Sequence, residues 1–238
     1  MSFLSAGKNI LFPTSCQGCS KPLPASVKSF CEECFQSIAF IKSPQCTGCG
    51  REFINSTSGD HLCGSCLRSK KKRLFMASAV THYQEPVSTL LHRLKYDGDL
   101  SVLSALQVIV DGGESVTLEA EDRVVPVPLH IKRLRSRGFN QAVLIARLFF
   151  PDNCSQILVD VLRRVRHTDP QTGLDGVARR KNLRNAFTVS EKSAVSNRKI
   201  VLIDDVYTTG TTVLECSRAL LAAGAEEVRV LTLARVLE

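Results

Sequence analysis

Two sets of residues in this chain are spaced for chemistry, a pair of acids followed by hydroxyls and a series of paired thiols. Asp204 and Asp205 follow the apolar run Ile200 to Ile203 and precede Val206-Tyr207-Thr208-Thr209-Gly210-Thr211-Thr212. Adjacent carboxylates suit a sugar diol, or a hydrated Mg²⁺ held through a ligand. Gly210 lets the backbone approach an anion that a Cβ would hold off. The threonines add hydroxyl donors, and an amphipathic run from Val213 to Ala223 follows. A strand, a turn and a helix start in that order leave unpaired N–H groups and a positive helix end facing a phosphate. No Gly-Lys-Ser/Thr follows the loop and no GxGxxG occurs, so neither a P-loop nor a dinucleotide fingerprint is present.

The thiols form four CxxC pairs, Cys16/Cys19, Cys31/Cys34, Cys46/Cys49 and Cys63/Cys66, separated by 11, 11 and 13 residues. A CxxC turn presents two thiolates along one tetrahedral edge, and two such turns complete a four-cysteine zinc site. Eight ligands suffice for two structural Zn²⁺. The pairing is either sequential or crossed; spacing does not settle it, and sequential is favoured. Gly18, Gly48 and Gly64 are expected to permit tight turns there. His61 reads as a surface residue, since four pairs already saturate two sites. The short, weakly apolar segments between the pairs mean that metal supplies much of the folding energy.

The chain has 238 residues, ten of them cysteine, and a formal charge of +8. That balance suits phosphorylated ligands or nucleic acid. No apolar run is long enough to span a membrane. Met1 to Ser15 carries one Lys and a broken apolar stretch, unlike a secretory leader. The expected location is therefore the cytoplasm, where clustered thiols read as metal ligands and not as disulfides.

The positioning elements follow from periodicity. Residues 1–73 read as a Cys-rich zinc-finger module with a basic linker, Ser69 to Arg73. From residue 74 strands alternate with helices, which predicts an α/β domain with a mostly parallel sheet. Strands are expected over Met76–Tyr83, Asp122–Leu129, Ile157–Val165, from Ile200, and over Val228–Val236. A helix is expected from Val87 through Lys95, capped by Gly98, and another over Leu100–Val110. Lys132 to Arg137 places four cations ahead of a helix expected to start near Asn140 and Gln141, with Val143, Ala146, Phe149 and Phe150 on its apolar face. Cations at a helix start oppose the macrodipole, which suggests an anion site. A long polar, basic stretch, 166–184, is expected to be functional.

Several blocks together resemble one family. They are Leu11-Phe-Pro-x-x-Cys16-x-x-Cys19, the further CxxC pairs, Leu94-Lys-Tyr-x-Gly98, Pro126-Val-Pro-Leu129, Arg135-x-Arg-Gly-Phe-Asn-Gln-Ala142, Arg164-x-Arg-x-Thr-x-x-Gln171, an Arg…Asn…Ala-Phe segment ending at Phe187, and Val201 to Thr212. The chain resembles the ComF family of competence proteins in the type I phosphoribosyltransferase superfamily. The resemblance implies a type I phosphoribosyltransferase-like sheet with helices on both faces, preceded by a zinc-finger module. It implies phosphoribosyl pyrophosphate (PRPP) with Mg²⁺ as ligand, and pentosyl transfer to an acceptor that no residue identifies. It further implies a role in DNA uptake and transformation, with single-stranded DNA and other competence or recombination proteins as partners. The alternative is a non-catalytic single-strand-binding competence factor that uses the phosphate site and basic loops. Residue by residue, Asp204 and Asp205 would hold the ribose hydroxyls and Val206 to Thr212 the 5′-phosphate. Arg133, Arg135 and Arg137 would face the pyrophosphate. Arg166, Thr168 and Gln171 would belong to a loop, 166–184, that closes over the substrate. Tyr96, Phe139 and Tyr207 are the aromatic candidates for an acceptor pocket, each readable as packing.

Overall fold

A computed structural model describes residues 14–24, 26–27, 29–53, 59–68, 74–166 and 185–237. The cysteine segment contributes two short helices, α1 (Glu32–Gln36) and α2 (Gly64–Arg68). Then come β1 (Met76–His82), α3 (Val87–His92) running into a π-helical turn (Arg93–Asp97), and α4 (Leu103–Gly112). These are followed by β2 (Arg123–Pro126), α5 (Ile131–Arg137) and α6 (Gln141–Phe149). The chain continues with β3 (Leu162–Arg164), β4 (Phe187–Val189), β5 (Lys199–Tyr207), α7 (Thr211–Ala222) and β6 (Glu227–Arg235).

Four strands form one parallel sheet in the order β1-β6-β5-β2. The pleat sends alternate residues of β5 to opposite faces. Val201 and Ile203 join Leu91, Leu106 and Ile145 on one side; Ile200 and Leu202 join Val213, Cys216 and Leu220 on the other. Helices thus cover both faces, α3, α4 and α6 on one and α7 on the other. The near-continuous apolar run of β5 is what a strand buried on both faces requires. Pro126 closes β2 at the sheet edge, where a missing N–H costs least.

Three expectations need correction. The strand expected over Ile157–Val165 is broken: Ile157 makes a single parallel bridge to Val124 of β2, with Leu158 N–H donating to Val124 O at 2.8 Å, and only Leu162–Arg164 forms a strand, β3, antiparallel to β4. The helix expected near Asn140 and Gln141 starts there as α6, but Arg133, Arg135 and Arg137 ahead of it lie on a helix of their own, α5, ended by Gly138 at φ 83. Arg135 and Arg137 occupy its last turn, where the dipole favours cations, so no macrodipole conflict exists. Leu134 and Phe139 supply too little apolar period for so short a helix to be read from sequence. Of the apolar face expected for α6, Ala146 and Phe150 are buried while Val143 and Phe149 are only half-buried; Ala142 and Ile145 complete the buried side.

The cysteine segment packs against the other edge of the sheet. Ile41 N–H donates to Val80 O at 2.9 Å, and His82 N–H to Ala39 O at 2.9 Å. This covers an otherwise open strand edge. No helix among the described residues is long and apolar enough to cross a membrane.

Candidate functional site

The two thiol clusters resolve the pairing. Cys16, Cys19, Cys31 and Cys34 group together, as do Cys46, Cys49, Cys63 and Cys66, with the sulfurs of each set within 4.8 Å of one another. The arrangement is sequential. Separations such as Cys16–Cys31 at 3.7 Å and Cys49–Cys63 at 3.8 Å suit the edge of a sulfur tetrahedron around Zn²⁺, about 3.8 Å for Zn–S bonds of about 2.3 Å. None of the ten cysteines forms a disulfide.

Both clusters are built alike. Ser20 N–H donates to Cys16 O and Gly50 N–H to Cys46 O, each at 2.8 Å, and both donors have left-handed backbones, φ 62 and φ 68. Cys31 N–H donates to Cys16 Sγ at 3.3 Å and Cys63 N–H to Cys46 Sγ at 3.2 Å. Burial pushes the Cys16 and Cys63 thiols up. At Cys16 backbone N–H donors overcome that, and at Cys63 hydrogen bonds led by Ser65 do; both fall to about 6. Thiolates are what Zn²⁺ takes, and the donor sets fit it. When bound, the metal ties the two turns of each cluster covalently. Sequence placed the special backbone two residues early: the left-handed residues are Ser20 and Gly50, not Gly18, Gly48 or Gly64. Gly18 serves by size, since a Cβ there would lie 2.9 Å from Cys34 Sγ. His61 stacks on Phe53 at 4.1 Å and stands outside both clusters.

The second site is a cleft of ≈ 830 Å³ at the carboxyl ends of β2 and β5, where parallel sheets place ligands. Asp204, Asp205, Val206, Thr208 and Thr212 line one wall, Arg133, Ser136, Arg137 and Gln141 another, and Lys95, Tyr96 and Arg164 are among the remaining lining residues. Thr209, Thr211 and Gly210 shape the loop without lining the cleft: the two hydroxyls contact each other at 2.9 Å, and Gly210 takes φ 71 directly before α7. A Cβ on Gly210 would lie 2.5 Å from the Tyr207 hydroxyl. Tyr207 therefore props the loop from below, and Phe139 packs against the core. Tyr96 differs from both, being 65% exposed at the cleft rim.

The Arg-Gly-Phe-Asn-Gln block has a mechanical explanation. Gly138 ends α5, and Asn140 caps α6 by accepting from Ala142 N–H at 3.0 Å. The Asn140 side-chain amide also donates to Val127 O at 3.0 Å, pinning the turn to the end of β2. Gln141 Oε1 then accepts from Arg137 Nη1 at 2.6 Å, which aims the guanidinium across the cleft. Arg135 is exposed and does not line it, nor does exposed Arg166. Thr168 and Gln171 lie outside the described residues, as does the rest of the expected closing loop.

The two acids are not equivalent. Asp205 is buried and ion-paired with Lys95, which the π-helical turn brings to the cleft. Burial pushes the Asp205 carboxyl up, but the Lys95 charge and hydrogen bond prevail and hold it below the ordinary range. Lys95 is held up in turn by Asp205, against the pull of its own burial. Asp204, half-buried and facing the cleft, is pushed well up by burial and by the Asp205 charge. Sequence reading missed Lys95 and Arg164 as site residues. Each stood within a quoted motif, but only the fold shows which side chain of the motif points inward.

Comparison with known proteins places both modules in known domain families. A double zinc ribbon domain matches residues 8–67, and a phosphoribosyl transferase domain matches residues 134–238. Competence protein F of Haemophilus influenzae is 34% identical over 230 residues, covering 94% of this chain and 98% of its own. The chain belongs to the ComF family. DNA utilization protein YhgH of Escherichia coli strain K12 is 33% identical over 231 residues, with 94% and 98% covered. Competence protein ComFC of Streptococcus pneumoniae is 26% identical over 208 residues, 86% of this chain and 87% of that protein. Among solved structures, an allosteric regulatory enzyme of purine biosynthesis overlaps 55% of this chain and 25% of its own at 20% identity and a TM-score of 0.33, too slight a likeness to argue from. As a ComF protein the chain carries a phosphoribosyl transferase domain behind a double zinc ribbon.

Proposed function

We propose that the cleft binds PRPP with Mg²⁺ and that the protein handles DNA in a competence-related process. The observation that carries the first part is convergence. One strand end supplies the Asp204–Asp205 pair and the Thr208–Thr212 loop, and the facing α5 supplies Arg133 and Arg137. On this reading Asp204 accepts from the ribose hydroxyls, and Asp205 holds Lys95 in place beside them. The loop N–H groups and the start of α7, a helix of 12 residues, receive the 5′-phosphate. Arg133, Arg137 and Arg164 face the leaving diphosphate, whose accumulating charge they offset. Mg²⁺ carried by the ligand adds further neutralisation of the diphosphate. If transfer occurs, the C1–O bond to diphosphate breaks through an oxocarbenium-like state and an acceptor takes C1. The chain's part is to align the two and keep water out. The modules divide at 73/74.

The DNA part rests on kinship with proteins named for competence and DNA utilization, on the +8 charge, and on the basic wall of the cleft. Calorimetric titration of PRPP with Mg²⁺, against ribose 5-phosphate as control, tests the first part. Tight, Mg²⁺-dependent binding supports it; equal, weak heats for both ligands would remove it and leave strand binding as the reading. Binding of a single-stranded oligonucleotide should then fall steeply with salt.

A further inference from the structure

Tyr96 is placed unlike any other aromatic residue described. It lies on the π-helical turn Arg93–Asp97, which inserts an extra residue between α3 and Gly98. Such turns concentrate at functional sites because they re-aim side chains that an α-helix would leave on its flank. Two contacts brace it. Arg93 Nε and Nη2 both donate to Asp99 Oδ2, at 3.1 and 2.6 Å, and Asp99 Oδ1 accepts from Ser101 N–H at 2.9 Å. The turn ends at Gly98, φ 66, with open space where a side chain would stand.

The ring is presented to solvent at the cleft rim, 65% exposed. The His92 ring lies 4.6 Å from it at 38°, and the Arg137 guanidinium lies 5.8 Å from its centroid. Arg137 also lines the cleft, as does Lys95, the residue beside Tyr96. A large exposed ring flanked by a guanidinium and an imidazole, next to cations suited to phosphate, matches how proteins hold a base and its backbone together.

We propose that Tyr96 is a stacking platform for a nucleobase whose attached or neighbouring phosphates lie against Arg133 and Arg137. The ligand class is a planar base, supplied by a DNA strand or by a free base accepting the pentosyl group. The placement of the phosphates rests on the reading of the cleft given above; the platform itself rests on the Tyr96 geometry. Because every base has a π-face, the platform is tolerant of sequence.

The test compares the full zinc-loaded chain with its Tyr96→Ala and Tyr96→Phe variants. Each is titrated with a labelled oligothymidine, with an abasic oligomer of equal length, and with free bases in the presence of PRPP and Mg²⁺. In the parent, the base-bearing strand should bind roughly 5- to 150-fold more tightly than the abasic one, the range of a stacked base. Tyr96→Ala should collapse that ratio toward one, and Tyr96→Phe should restore it. If instead only the free-base affinity depends on Tyr96, the platform stands and its ligand is the small acceptor. A base-to-abasic ratio and a free-base affinity both indifferent to Tyr96→Ala overturn the proposal. PRPP titrated into the parent judges the cleft reading separately: a failure there with an intact base dependence leaves the platform standing.

Discussion

Arg235 joins the second thiol cluster to the phosphate loop. Its Nη1 donates to the carbonyl oxygen of Cys49 at 2.6 Å, while its guanidinium stacks 5.4 Å from the centroid of Tyr207, the residue that props Gly210. Arg235 is buried, and its backbone position opposite Tyr207 is fixed by the β5–β6 register. Lysine cannot reproduce the planar stack and the directed bond together. Arg235→Met should therefore lower stability by about 1–3 kcal/mol, the cost of leaving the part-buried Cys49 carbonyl without its charged donor. It should also weaken ligand binding at the loop. Urea unfolding of the zinc-loaded protein checks the first effect; an unchanged midpoint would show that the contact contributes nothing.

Asp205→Asn should be costly to the fold as well as to the site. It leaves Lys95, 20% exposed at its side chain, without its counter-charge in a buried setting. Breaking such a pair by removing one partner costs about 3–5 kcal/mol. The double variant Lys95→Met with Asp205→Asn should recover much of that loss. Equal destabilisation in the single and double variants would mean that the charge pair is not the cause.

The pH dependence of stability follows from the same pair. The Asp205 carboxyl is depressed in the fold, so its contribution is present above the ordinary 3.8 and is lost as pH falls through its lower folded value. Lys95 is raised, so its contribution is present below the ordinary 10.5 and is lost as pH rises through its higher folded value. Between those limits the pair stabilises throughout. Unfolding free energies of the parent relative to the double variant should converge at both extremes and differ most between them.

Asp204 has the opposite sign. Its carboxyl is raised, so the folded state binds the proton more tightly than the unfolded chain, and this group's contribution falls as pH climbs above 3.8. Asp204→Asn should thus modestly stabilise the ligand-free protein, moderated by the group's partial exposure to the cleft. It should also abolish measurable PRPP binding. Retained affinity in this variant would remove Asp204 from the reading of the ribose hydroxyls.

Metal analysis should return two Zn²⁺ per chain, one for each four-cysteine cluster. Cys46→Ser should lower the count to one and destabilise more than Cys19→Ser. Cys46 is buried, and its cluster reaches β1 through Gly48 and β6 through Arg235, whereas Cys19 is exposed. Equal losses from the two variants would contradict that asymmetry.

Local patterns in the sequence determined a good part of this protein. Four CxxC pairs announced two metal sites, because ligand geometry is written into spacing alone. The apolar run of β5, the acid pair and the Thr-Gly loop announced a strand, a turn and a helix start, because burial on both faces and a phosphate cradle each demand local residue types. The parallel sheet followed from alternation of strands and helices. Relationships between distant segments were decided only by the tertiary structure. Lys95 reaches Asp205 across 110 residues because α3 packs on the face of β5 that carries Val201 and Ile203, and no periodicity records which face that is. The arginines of α5 were legible but the helix that carries them was not, because seven residues give too little period to read and the helix is held by its caps and by Asn140 on Val127. The sequential pairing of the thiols, the exposure of Tyr96 and the meeting of Arg235 with Cys49 are likewise matters of packing. They depend on which surfaces the chain buries together, which is a property of the whole core and not of any stretch of it.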